Sequence, residues 1–149
     1  MSLNKKELSN KLFISLGIVH QLTDSFLTKQ LAPHGINQSQ FHVLTHFSRH
    51  KEQPCTISQL AQVMQMNQPG ITKVINKLDE MGLIDIEKDA FDGRKKWITV
   101  NDKGLEKLAA AYESFAPRMA EMFADWNEQE MIQTLQQIDK LKNWLDNHR

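Results

Sequence analysis

Between Gln68 and Lys77 the chain sets amide, hydroxyl and ammonium groups along the turns of what reads as one helix: Gln68, Thr72, Lys73, Asn76 and Lys77, with Pro69 and Gly70 beside them. Amides and hydroxyls pair with base edges, and lysine ammonium groups pair with phosphates or guanine acceptors. A second group follows at Asp92, Gly93, Arg94 and Lys95. Asp-Gly is a tight-turn dipeptide, and a guanidinium carried at such a tip suits a narrow, electronegative groove. Asp92 either orients Arg94 through a charge-assisted hydrogen bond or holds the turn. Taken alone the helix is equally described as a solvated polar face; the neighbouring hairpin points beyond that.

The elements around these residues set their geometry. A short helix is predicted from Ser58 to about Met64 with Ser58 as its cap, then a turn, then a helix over 67–81. Leu60, Ala61, Met64, Ile71 and Val74 supply the apolar interface that two steeply crossing helices need. Asn67 or Gln68 caps the second helix, Pro69 falls in its first turn and Gly82 just past its end. Ile84 with Ile86, and Ile98 with Val100, keep the period of two expected of a half-buried hairpin closed at Asp92-Gly93. Cys55-Thr56-Ile57 reads as a short strand against it, and Trp97 as a packing residue. The fold class is therefore mainly α with a small β-hairpin (α+β), a winged helix-turn-helix over 37–101.

Flanking segments are long amphipathic helices. Leu8, Leu12, Leu16, Val19, Leu22, Phe26 and Leu31 form a stripe on a first helix of about 40 Å, longer than the following core can cover. Pro33-His34-Gly35 ends it, and Asn37 with Gln40 makes a capping box for the next helix, which buries Phe41, Val43, Leu44 and Phe47. After Asn101, Leu105, Leu108, Tyr112, Phe115, Met119 and Phe123 continue a stripe, with a kink expected at Pro117. Asn127 and Glu130 cap a last helix carrying Met131, Leu135, Ile138, Leu141, Trp144 and Leu145. Residues 1–36 and 102–149 thus read as long N- and C-terminal dimerisation helices joining two copies.

Composition limits the rest. The 149 residues carry 18 Lys/Arg and 18 Asp/Glu, for no net charge. By segment, residues 1–55 hold six basic and three acidic side chains, 56–100 six and six, and 101–149 six and nine. Long-range attraction to a polyanion is modest, and affinity must come from local contacts and duplication. No apolar run reaches membrane-spanning length and the N-terminus is too polar for a signal peptide, so a cytoplasmic protein without a membrane partner is expected. Catalytic residues, cofactors and metals are not expected: there is no glycine-rich phosphate loop, metal-ligand cluster or nucleophile with an adjacent base. His42, His46 and His50 recur at a spacing suited to a shared metal, but no carboxylate on that row completes a ligand set. Cys55, the single cysteine, lacks a cationic sequence environment and reads as passive rather than as an oxidation sensor.

The chain resembles the MarR family of bacterial transcriptional regulators over essentially its full length. The likeness rests on Gly35-Ile36-Asn37 with Gln40-Phe41, Ser58 to Ala61, Gly70 to Leu78, Gly82-Leu83-Ile84, and Asp92-Gly93-Arg94 followed by Lys103-Gly104. The family's Asp-x-Arg wing signature falls on Asp92 and Arg94, its Leu-Thr junction on Val100-Asn101, and its frequent turn glycine on Gln65. The resemblance implies a homodimer on an inverted-repeat, double-stranded DNA operator, often released by a small amphipathic or aromatic effector; the function expected is a repressor, or else an activator, of transcription. Leu12, Leu16, His20, Phe41, Leu44 and Phe115 are the candidates for lining an effector cavity between the first, second and fifth helices, each equally readable as plain core. The family's peroxide-sensing cysteine and zinc-binding histidines have no counterparts here. The competing function is a winged-helix protein–protein interaction module without operator binding.

Overall fold

The structure, a computed structural model, describes residues 2–149. In chain order these form α1 (Lys5–Leu31), α2 (Gln38–Arg49), α3 (Ile57–Met64), α4 (Gln68–Glu80), β1 (Ile84–Lys88), β2 (Lys96–Val100), α5 (Asp102–Met122) and α6 (Glu128–Asn147), with a 3-10 turn at Ala32–His34. The two strands make one antiparallel hairpin. This is the mainly α winged helix-turn-helix expected, with long helices at both ends.

Local capping sets most of the helix starts. Reciprocal boxes pair Asn4 with Glu7, Asn37 with Gln40, Thr56 with Gln59 and Asn127 with Glu130, each cap contributing about 1 kcal/mol. At α3 the cap is Thr56, not Ser58. Gln59, three residues on, returns a bond to the Thr56 amide, whereas Ser58 is followed at that spacing by Ala61, which has no acceptor. The expected strand at 55–57 is correspondingly reduced to a single bridge between Cys55 and Ile98, because Ile57 already belongs to α3.

The core lies where α2, α3, α4 and β2 converge on the C-terminal end of α1: Leu31, Val43, Leu44, Phe47, Leu60, Ile71, Ile75, Leu78 and Ile98 are all fully buried. The strand register pairs Ile84 with Val100 and Ile86 with Ile98, so the apolar residues share one face as their alternation requires. Leu31 is the one fully buried residue of α1. Gln38 nevertheless ties the two helices together, donating from Nε2 to the Asp24 carbonyl at 2.9 Å and to Thr28 Oγ1 at 2.7 Å.

Two compact units divide the chain, the first ending at Ser114 and the second comprising Phe115–Arg149. The boundary therefore falls within α5 rather than before it, so α1 and the start of α5 group with the winged helix. Helix α5 continues through Pro117 to Met122. Within the second unit α6 buries no residue at all. Among the described residues no helix is long and apolar enough to cross a membrane.

The turn between α3 and α4 depends on Gln65, which adopts φ 55° and ψ 41°, the left-handed region. An L-residue held there loses roughly 1–2 kcal/mol, and glycine would relieve it while raising unfolded-chain entropy by roughly 0.5–1 kcal/mol. Gln65→Gly is expected to stabilise the protein by about 0.5–1 kcal/mol in urea denaturation, and Gln65→Val to destabilise it. A lower midpoint for Gln65→Gly would show that the side chain offsets the strain.

Candidate nucleic-acid interface

Helix α4 begins where Asn67 Oδ1 accepts the Gly70 amide at 2.7 Å, with Pro69 in the first turn, where a missing N–H costs nothing. Gly70 is confined by that cap, since a Cβ there would lie 3.0 Å from Asn67 Oδ1 and 3.3 Å from Met66 Cε. Ile71, Val74, Ile75 and Leu78 turn inward and are buried. By helical geometry Gln68, Pro69, Thr72, Lys73, Asn76 and Lys77 are left on the other side, and all are exposed. They line an open groove of about 1240 Å³ whose far wall is the start of α2, at Asn37, Ser39 and Gln40. That wall was not read from the sequence, because capping residues signal a helix start and not what faces it. One negative charge shares the groove: Glu80 lies 3.5 Å from Lys77 in an exposed pair of little energetic weight.

The wing turns at Asp92-Gly93-Arg94, as expected, but this turn sits within a longer loop. Residues 89–95 connect the strands, and Gly93 does not take the positive φ that an Asp-Gly hairpin turn requires. Asp89 organises this loop instead. Its Oδ1 accepts the Trp97 indole N–H at 2.8 Å, and its Oδ2 accepts the amides of Asp92 at 2.9 Å and Phe91 at 3.1 Å. Backbone bonds from Asp89 to the Lys95 carbonyl and from Lys95 to the Asp92 carbonyl close it further. Asp92 holds the last turn by accepting the Arg94 amide at 3.0 Å; its contact with Arg94 Nε is looser, 3.7 Å. The Arg94 side chain is 97% exposed. Lys95 lies over the Trp97 ring at 4.9 Å, a cation–π contact that leaves its ammonium at the surface.

Comparison with known proteins agrees with this geometry. A sequence model of the MarR family matches residues 34–95. The HTH-type transcriptional regulator MhqR of Bacillus subtilis is 26% identical over 125 residues, spanning 84% of this chain and 85% of MhqR. Among solved structures, a MarR protein from Peptoclostridium difficile has a TM-score of 0.78 at 20% identity, covering 99% of this chain and 95% of that one. A mutant of Escherichia coli MarR, complexed with operator DNA, has a TM-score of 0.74 at 17% identity, covering 93% and 99%.

Residues 34–95 of this chain thus form a MarR-family domain, of the kind carried by transcriptional regulators rather than enzymes. The candidate effector residues do not come together within the first unit. Phe41 and Leu44 are buried core, Leu16 is half-buried, and Leu12 and His20 are exposed, with Leu12 at 61%. The reason is length: Leu12 stands 19 residues before the buried Leu31, about 28 Å along the helix from the core. His20 faces Asp24 on its own helix at 3.6 Å. Phe115 is buried and belongs to the second unit.

Nor do the histidines form a metal centre. Among the described residues no group of three or more His, Cys, Asp and Glu side chains is placed to hold an ion. His46 and His50 have ring centres 4.8 Å apart, and burial, with His50 and Arg49 nearby, lowers the His46 pKa. Cys55 Sγ lies 3.8 Å from His46 Nε2, and burial pushes its thiol pKa up.

Asp89 yields a pH dependence. The Trp97 indole, then the amides of Asp92 and Phe91, hold its carboxyl below the usual range. A lowered carboxylate stabilises the folded wing above its unfolded pKa of about 3.9 and loses that effect as pH falls through the lower folded value. The Trp97 indole resonance is expected to move toward its solvent-exposed position on acidification below about pH 4, and to sit there already at neutral pH in Asp89→Ala. An unshifted resonance in that variant would remove Asp89 from the role.

Proposed function

We propose that this protein is a homodimeric repressor that reads an inverted-repeat operator, with α4 of each copy in a major groove and the wing in the adjacent minor groove. The observation that carries the reading is the joint exposure of two chemically suited groups on one winged-helix frame: the polar face of α4 and the unburied Arg94 guanidinium. In this reading Gln68, Pro69, Gly70, Thr72, Lys73 and Asn76 meet base edges and nearby backbone, Lys77 and Lys95 meet phosphate, and Arg94, steadied by Asp92, enters the minor groove. The operator complex of E. coli MarR supports it, since that protein shares the fold.

Dimerisation is supported by apolar surface that a single chain leaves open. Leu8, Leu12, Phe13, Ile14, Val19 and Leu22 are exposed on α1, and Ile132, Leu135, Ile138, Trp144 and Leu145 on α6. Contiguous apolar faces of this extent mark association surfaces. Duplication also supplies what a chain of zero net charge lacks, two sets of local contacts spaced about one helical turn, roughly 34 Å, apart. A small amphipathic or aromatic effector would bind beside α1, where a second copy would cover Leu12, Leu16 and His20, and would act by changing the spacing of the two wings.

Fluorescence anisotropy on the DNA upstream of its own gene, across a salt series, tests this. Lys77→Ala should weaken all sequences alike and flatten the salt slope by about one. Arg94→Ala should cost about 1–3 kcal/mol, mainly on A·T-rich flanks. Unchanged affinity in Arg94→Ala would overturn the wing assignment, and no binding by the native chain would favour a protein-interaction module instead.

A further inference from the structure

The geometry points to Phe91 as an apolar wedge that the wing drives against the base stack of its operator, so that this regulator bends the duplex it reads. Phe91 is 99% exposed, the highest value among the exposed large apolar side chains. Nothing about its loop is loose. The Asp89 carboxylate holds the Phe91 amide at 3.1 Å and the next amide at 2.9 Å, while its other oxygen is fixed by Trp97 on the neighbouring strand. The ring is therefore presented from a braced backbone rather than left behind by a disordered one.

What surrounds the ring selects its partner. The next charged residues after Asp92 in the same hairpin are Arg94, Lys95 and Lys96, all exposed. The two carboxylates there are already engaged, Asp89 by three N–H groups and Asp92 by the Arg94 amide and guanidinium. A protein-binding surface would surround an aromatic anchor with further large apolar side chains, but its neighbours Ala90, Asp92 and Gly93 supply only one methyl group. A single exposed ring on a cation-bearing hairpin tip matches the minor groove, where a guanidinium is attracted by the phosphate field and an apolar side chain can part a flexible pyrimidine–purine step. Phe91 and Arg94 sit three residues apart across the same turn. One minor groove could therefore receive both, with Arg94 anchoring the tip and Phe91 deforming the step beside it.

This inference rests on the operator-binding reading, and one experiment separates the two. A duplex selected from random sequence by the full chain is labelled with 2-aminopurine at the pyrimidine–purine steps under each wing, and at its ends for energy transfer. Native protein is expected to raise 2-aminopurine fluorescence at one step and to shorten the end-to-end distance. Phe91→Ala should abolish both changes, keep the thermal midpoint, and lose roughly tenfold in affinity; a mismatch at that step should recover the loss, and Phe91→Leu should retain part of the bend. Native binding with no change in either signal, or equal signals from Phe91→Ala, overturns the wedge while leaving operator binding intact. Failure to select any duplex overturns both.

Discussion

The close approach of α5 to the end of α4 is the constraint from which the placement of the wing follows. Gly104 sits so near the Leu83 carbonyl and Val100 Cγ2 that a Cβ there would collide with both. Asn101 closes the same junction from three directions: its amide donates to the Leu83 carbonyl, its Nδ2 to the Gly82 carbonyl at 2.9 Å, and its Oδ1 caps α5 by accepting the Gly104 amide. Gly82, at φ 72°, makes the turn that brings Leu83 there. Helix, hairpin and following helix are thereby joined within four residues of backbone, and β1 leaves α4 in one direction only. Helix α4 and the wing share a frame because this junction leaves little freedom between them.

Charge is used sparingly on that frame. The chain as a whole is neutral, so its field does little to gather a polyanion, and screening at physiological salt reduces that further. The useful cations are instead delivered by position. Lys73 and Lys77 stand on the exposed side of α4 because its opposite side is occupied by Ile71, Val74, Ile75 and Leu78. Arg94 projects from a turn that Asp89 and Asp92 hold by accepting backbone amides, and the Asp92 carboxylate touches its guanidinium only loosely, at 3.7 Å. Such an arrangement favours geometric discrimination over indiscriminate attraction.

Much of this was legible in residue order. Helix starts are short-range events, and Asn37, Asn67 and Asn127 each bond to an amide three residues on; a pattern so local survives without knowledge of the fold. The period of two in Ile84, Ile86, Ile98 and Val100 likewise carried the strand register. Where two local signals competed, as at Thr56 and Ser58, the reciprocal partner decided, and only Thr56 has one. Asp92-Gly93 marked the closing turn but not the loop around it, which Asp89 sets by pairing with a tryptophan eight residues away on the opposite strand.

The sequence by itself determined the class of fold, the inward and outward faces of α4, and the placing of Arg94 at a wing, since these depend on periodicity and on residues within a few positions of one another. Tertiary structure alone decided which residues surround those groups. It set α2 opposite α4 as the wall of a groove, made Asp89 the organiser of the wing, required glycine at 104, and separated exposed Leu12 and His20 from buried Phe41 and Leu44. The physical reason is common to all four. Each depends on the distance between segments remote in sequence, which packing sets and no local pattern records.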